Sequence, residues 1–298
     1  MALLASTAGS ASGAADRGNH RIFPPRSQQG AELRSLGAPQ NVSYFGGPVI
    51  PNVKVYAVFW GPNVNAQIKS GIGEFYSAAV NSTYLDWMKV YDTNIQATGG
   101  KPGSNQHIGR GSFGGNVTIA PRNAGKKLDK KDVEVEIEYQ IGQGALARPD
   151  DNTLYMIHFP AGITLTTGGM ASCQSWCGDH EGFHSKAYGD VYYAMMPDLG
   201  GVCSFGCGFG GSALDNMSFI ASHELAEAIT DPMCPDMGVN PGAGPEDRAG
   251  WARPDGNEIG DLCVDSKGSL QAAGRKYLVE GEWDNSLGGC HAGSFTSP

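Results

Sequence analysis

His223, Glu224 and Glu227 stand in the order H-E-x-x-E. Helical residues four apart share a face, so His223 and Glu227 can reach one cation while Glu224 projects differently. The spacing is that of the metallopeptidase H-E-x-x-H motif, whose two histidines hold zinc and whose glutamate acts as general base on water. Replacing the second imidazole with Glu227 has a cost. Each added carboxylate removes positive charge from the ion, so water on it acidifies less and harder cations compete better. The expected cofactor is a divalent cation, zinc first and calcium second. The bland alternative is an amphipathic helix whose polar face happens to carry these three residues.

Some thirty residues on, GNEIGDLC sets Glu258 and Asp261 among glycines and beside Cys263. Either carboxylate could complete a ligand set from a positioned loop; the competing reading is an Asx-type turn with solvated acids. Asp231, just past the helix, could orient His223 or cap backbone groups. A rival string, His180-Glu181-Gly182-Phe183-His184, is a literal H-E-x-x-H. It contains a glycine and runs into an apolar strand at Asp190, which leaves little room for an active-site helix. His180 or His184 could still lend a ligand, against the ordinary reading of a solvated or hydrogen-bonded histidine. His158 is expected to satisfy a core hydrogen bond.

The helix carrying the motif must run through LDNMSFIASHELAEAITDP. Asp215 can cap it, Phe219, Ile220, Ala226 and Ile229 are spaced for burial, and Pro232 ends it. NVKVYAVFW from Asn52, NVTIAP from Asn116, TLYMIHF from Thr153 and DVYYAMM from Asp190 read as strands. Ile68, Ile72, Phe75, Tyr76 and Ala79 recur at helical spacing, and Tyr84 to Tyr91 predicts a second helix. Val133 to Ile141 alternates like a strand, although Val133, Ile137 and Ile141 also share a helical face; the alternation favours strand. The expected fold is α/β of the α+β kind, a mixed sheet flanked by helices, with long Gly-rich loops pinned by disulfides.

Of 298 residues, 30 are acidic against 21 Lys and Arg, for a net charge of −9. That argues against a nucleic-acid partner held by a basic surface. No apolar run approaches the roughly 20 residues a membrane-spanning helix needs. From Asp179 onward there are 18 acidic and 6 basic residues, a bias that serves solubility or gathers carboxylates around a cation.

All seven cysteines, at 173, 177, 203, 207, 234, 263 and 290, lie in the second half. Their number, with the glycine-rich loops, favours disulfides and an exported protein over a structural zinc at the two C-x3-C pairs. The expected pairs are 173 with 177, 203 with 207 and 263 with 290, leaving Cys234 free. Residues 1–40 show no intact signal peptide and read as a flexible arm or propeptide remnant ahead of a globular domain over 41–298.

Three other chemistries are weak. Gly206, Gly208 and Gly211 match G-x-G-x-x-G without a strand leading in. Cys234 has no evident base, and no G-x-S-x-G elbow occurs. Glu224 and Glu258 could also pair as the acids of a carbohydrate hydrolase.

Six separated segments, YFGGPVI at Tyr44, VYAVFWG at Val55, CQSWCGDH at Cys173, IASHELAEAITDP at Ile220, EIGDLC at Glu258 and GRKYLVEGEWD at Gly274, resemble the Exordium-like, or phosphate-induced, protein family over roughly Tyr44 to Cys290. The resemblance implies a secreted, disulfide-containing protein, associated in plants with extracellular growth responses and without a settled activity. The chain looks like the microbial-type branch carrying SHELxEAxTDP. That version resembles a zincin-like metallopeptidase site: His223 and Glu227 as ligands, Glu224 as general base, and Glu258 or Asp261 as the remaining ligand. The implied partner is a peptide or protein substrate, and the sequence fixes no oligomeric state.

Overall fold

The computed structural model describes residues 41–233, 248–264 and 266–298. The N-terminal arm and Cys234 lie outside them. A five-stranded mixed sheet is the frame. Its strands are β1 (Lys54–Trp60), β2 (Ser112–Ile119), β3 (Thr153–His158), β4 (Asp179–Ser185) and β5 (Gly189–Met196). They lie in the order β2-β1-β3-β5-β4, all parallel except β4, which runs antiparallel to β5 at the edge. β3 is buried at every position, which is why TLYMIH is nearly continuous in apolar residues: helices cover both faces of a parallel sheet.

One face packs against α1 (Ala66–Val80) and α3 (Ala213–Thr230), where Val55, Ala57, Leu154, Met156 and Ala194 meet Ile72, Phe75, Phe219 and Ile220. The opposite face receives Val133, Ile137 and Ile141 from α2 (Lys130–Gly142) against Tyr155, Ile157, Val191 and Tyr193. The architecture is mixed α/β, as expected for an α+β protein.

α2 overturns the strand reading of Val133 to Ile141. Asp129 caps it and Asp132 completes a capping box, while Val135 is left 58% exposed. The alternation came from glutamates that the helix accommodates individually: Glu134 meets Lys131 and Tyr193, and Glu136 meets Arg122 and Gln140. The expected helix at Tyr84 splits into a short α-turn, Thr83–Asp86, and a 3-10 turn, Met88–Tyr91.

The disulfides are Cys173–Cys203, Cys177–Cys207 and Cys263–Cys290. Only the last is the expected pair; the two local C-x3-C bridges do not form. Cys203 and Cys207 stand one turn apart across the short helical segment Gly201–Cys207, so both face Cys173 and Cys177 as two rungs. This double staple ties the start of β4 to the segment leading into α3.

Beyond α3 the chain forms β6 (Lys267–Ala272), β7 (Arg275–Glu280), β8 (Glu282–Asp284), β9 (Gly289–His291) and β10 (Ser294–Thr296). β6 pairs with both β7 and β10, and β8 pairs with β9. No helix among the described residues is long and apolar enough to cross a membrane.

Candidate metal centre

α3 begins at Ser212, whose hydroxyl accepts from the Asp215 amide while the Asp215 carboxylate accepts from the Ser212 amide. Asp215 is thus the third residue of a capping box and Ser212 the cap itself. The helix ends before Pro232. Asp231 secures that end: its amide donates to the Glu227 carbonyl and its carboxylate accepts from the Gly250 amide. Asp231 therefore caps backbone groups.

α3 is buried on nearly all sides, including its polar residues. His223, Glu224 and Glu227 are 0–1% exposed. Such burial of charge is costly unless the groups are paired, neutralised or bound to an ion.

Three more segments close on this stretch of helix. β4 supplies His180, whose Nδ1 lies 3.4 Å from Glu224 Oε2 and 3.7 Å from Glu227 Oε2, with Nε2 3.6 Å from Glu258 Oε2. The glycine-rich loop supplies Glu258 and Asp261. β7 and β8 supply Glu280 and Glu282. His223 Nδ1 lies 2.6 Å from Glu280 Oε2, and His223 Nε2 lies 3.1 Å from Glu227 Oε2. The other Glu227 oxygen accepts from the amides of Gly260 and Asp261, both at 3.1 Å, which turns Oε2 toward the imidazoles.

Two triads of donor atoms result, each within 4.8 Å: His223, Glu227 and Asp261, and His180, Glu227 and Glu258. A third joins His223 to Glu280 and Glu282. The structure thus brings Asp261 together with His223 and Glu227, and Glu258 with His180 and Glu227. Asp261 Oδ2 accepts from the Glu258 amide three residues before it, which is not an Asx turn, and both acids are buried, not solvated.

These residues fit a cation on chemical grounds. A neutral imidazole has one N–H, and in the tautomer that donates Nδ1–H to Glu280, Nε2 turns its lone pair toward Glu227 Oε2. Holding a proton at both nitrogens would require a charged ring, and burial pushes the His223 pKa down. A lone pair and a carboxylate oxygen 3.1 Å apart are close to the roughly 3.4 Å edge of a tetrahedral site with ~2.1 Å bonds. Buried His, Glu and Asp groups here could therefore hold a metal ion.

Burial raises the carboxyl of Glu224, against the lowering effect of His180 and His223, and raises those of Glu258, Glu280 and Glu282 well above the ordinary range. Glu224 Oε1, Glu280 Oε1 and Glu282 Oε2 are buried and accept no hydrogen bond among the described residues.

Two glycines make the approach possible. A Cβ on Gly178 would strike Glu224 and Ile220, and one on Gly260 would strike the His223 ring and Glu227 Oε1. Gly260 has a φ of −74°, which alanine adopts freely, so its requirement is steric. Gly260→Ala is therefore expected to destabilise the fold by about 1–3 kcal/mol and to weaken cation binding; equal melting temperature and ion affinity in variant and parent would refute the tight contact.

Other expectations resolve individually. His184 is exposed and bonds Asp190 at 2.9 Å, outside the cluster. His158 is buried, bonds the Tyr76 hydroxyl at 3.1 Å and is kept neutral, its pKa pushed down to about 3 by burial. Three cavities among the described residues are lined by residues other than His223, Glu224 and Glu227. One of about 300 Å3 touches α3 at Ala213, Asn216 and Met217, and others of about 560 and 610 Å3 are lined by the Cys173–Cys203 region and by β6 and β7.

Sequence reasoning gave Glu280 and Glu282 no chemical role. Their signal was present: two carboxylates alternate onto one side of a strand-like run, YLVEGEW, that is otherwise apolar. Comparison with known proteins finds no match to a family model, a curated protein or a solved structure.

Proposed function

We propose that this protein is a secreted metal-dependent peptidase with a zincin-like site, in which His223, Glu227 and Asp261 hold a divalent cation and Glu224 is the general base. One observation carries the reading: the His223 imidazole and the Glu227 carboxylate, one turn apart on α3, present Nε2 and Oε2 to each other at 3.1 Å with Asp261 alongside. Zinc suits the nitrogen donor and the tetrahedral edge; the two carboxylates make calcium the second choice. The cation, when bound, polarises the scissile carbonyl and acidifies water.

The chain's own groups supply the rest. Glu224 accepts the proton of the attacking water, and its raised pKa moves it toward the neutral range where a base works best. His180 lies against Glu224 Oε2 and positions it. Glu280 fixes the His223 tautomer. The disulfides support export, since such bonds persist in oxidising compartments. The six segments read at the sequence level support membership of the Exordium-like family as part of the same proposal.

The test is elemental analysis of protein prepared without added metal, paired with cleavage of a peptide library. The expected result is one equivalent of zinc or more, with cleavage lost on chelation and restored by Zn2+. Ion-loaded protein that cleaves nothing would sink the reading.

A second reading has its own support. The full burial of His223, Glu224 and Glu227 favours a structural cation in a non-enzymatic extracellular binding or signalling protein. Chelation would then lower the melting temperature of a protein that never cleaved peptides.

A further inference from the structure

Glu280 ends β7 and Glu282 begins β8, with Gly281 between them. Alternation along a strand places residues two apart on the same side, and both carboxylates enter the interior beneath α3. Gly281 permits this, because a Cβ there would collide with Ala292 and Ser266. The Glu280 amide is fixed by the Ser222 hydroxyl at 2.8 Å, and the Trp283 amide by the Ile259 carbonyl at 2.8 Å. The two side chains are thus held from both flanks.

Each carboxylate is 0% exposed and half satisfied. Glu280 Oε2 receives His223 Nδ1–H, and Glu282 Oε1 receives the Tyr84 hydroxyl at 2.7 Å. Their other oxygens, Glu280 Oε1 and Glu282 Oε2, are buried and accept no hydrogen bond among the described residues. Neither carboxylate meets a lysine or arginine among those residues, and the charge of Glu282 acts on Glu280 as a like charge. Two such groups side by side in an apolar interior are expensive as charges unless they keep protons or share a cation. Oxygen donors of this kind select a hard cation.

We propose that Glu280 and Glu282 hold a second divalent cation, of the oxygen-preferring calcium and magnesium class, behind His223 and separate from the ion on the H-E-x-x-E motif. The two carboxylates balance its charge and place their unbonded oxygens on it. Its role is structural: it fixes the β7–β8 junction from which Glu280 orients the His223 ring. Nothing in it requires peptide hydrolysis.

The experiment titrates the chelated full-length chain with Ca2+, Mg2+ and Zn2+ and counts ions by elemental analysis. The parent is expected to take up two ions, Glu282→Gln one fewer, and Glu227→Gln to keep the calcium-class ion while losing the other. Because Glu282→Gln could fail to fold, the parent and Glu227→Gln are also melted with and without Ca2+ or Mg2+. At a hundredfold excess over the dissociation constant either ion at its site raises the melting temperature by about 5–10 °C. A parent that takes up a single ion in all, or a folded Glu282→Gln that binds as many as the parent, overturns the proposal. So does Glu227→Gln with no response to Ca2+ or Mg2+. A chain that binds both ions but cleaves no peptide defeats the peptidase reading and leaves this one standing.

Discussion

Glu224→Gln is expected to lower kcat/KM for peptide hydrolysis by about 10^2–10^4-fold while leaving ion content unchanged. The substitution keeps the side chain's shape and removes its capacity to take a proton. Glu224 belongs to neither donor triad that contains Glu227, so the ion should stay. Its Oε2 faces His180 and its Oε1 lies close to Gly178, so an amide fits the same space. The acid limb of the pH profile should also change. That limb reports ionisation of the base, which burial has raised, and glutamine does not titrate. The measurements are steady-state kinetics, elemental analysis and circular dichroism on one preparation. Activity within about threefold of the parent would remove Glu224 from the base role, given the size of effect a general base commands. Loss of the ion with the fold intact would instead make Glu224 a ligand.

Why the sequence exposed this helix so readily, and other parts poorly, follows from which information is local. α3 carries its own boundaries in Ser212, Asp215 and Pro232, and its apolar residues set its burial. β1, β3 and β5 were legible because strands buried on both faces read as unbroken apolar runs. The segment Val133 to Ile141 was misleading because Glu134, Glu136 and Glu138 interleave with apolar residues. The capping box at Asp129 and Asp132, with Val133, Ile137 and Ile141 on one face, is the local sign of the helix.

The disulfides Cys173–Cys203 and Cys177–Cys207 were not legible, since connectivity depends on which Cα atoms approach within bonding range. Here those distances are 4.7 and 5.5 Å across a separation of 30 residues. The same logic applies to His180. Its H-E-x-x-H string left little room for a helix, with a glycine inside it and a strand behind it; its position on an edge strand next to α3 comes from sheet order, which no spacing encodes. Glu227 and Asp261 could be nominated from type and spacing, whereas the amides of Gly260 and Asp261 that aim Glu227 belong to tertiary structure alone. The Cys263–Cys290 bridge, the one pair anticipated, sits just beyond that loop and pins it.

Stripping the cations should make the protein less stable at pH 8 than at pH 5, the reverse of ordinary acid denaturation. Glu224, Glu258, Glu280 and Glu282 all have folded-state pKa values raised above the ordinary 4.5, with burial the leading cause. Between that value and the raised one, the folded chain retains protons that the unfolded chain has released. Stability is therefore fully present below the unfolded value and is lost as pH climbs through the folded values. Each unit by which a group is raised is about 1.4 kcal/mol, and each kcal/mol is about 2–4 °C of melting temperature in a domain of this size. His158 and His223, whose pKa values burial lowers, act in the opposite sense over the same window, so the expected result is the sign of the difference, set by the four carboxyls. Bound cations reverse the sign, because an ion competes with protons for the same oxygens and its stabilisation grows as they leave. Melting curves at pH 5 and pH 8, with chelator and with Zn2+ plus Ca2+, decide it. The chelated protein should melt lower at pH 8 and the loaded protein should not. A chelated protein that melts higher at pH 8 by more than neutral His158 and His223 supply would mean that these carboxylates are already compensated by something other than protons or ions, and the cluster would lose its claim to be a metal centre.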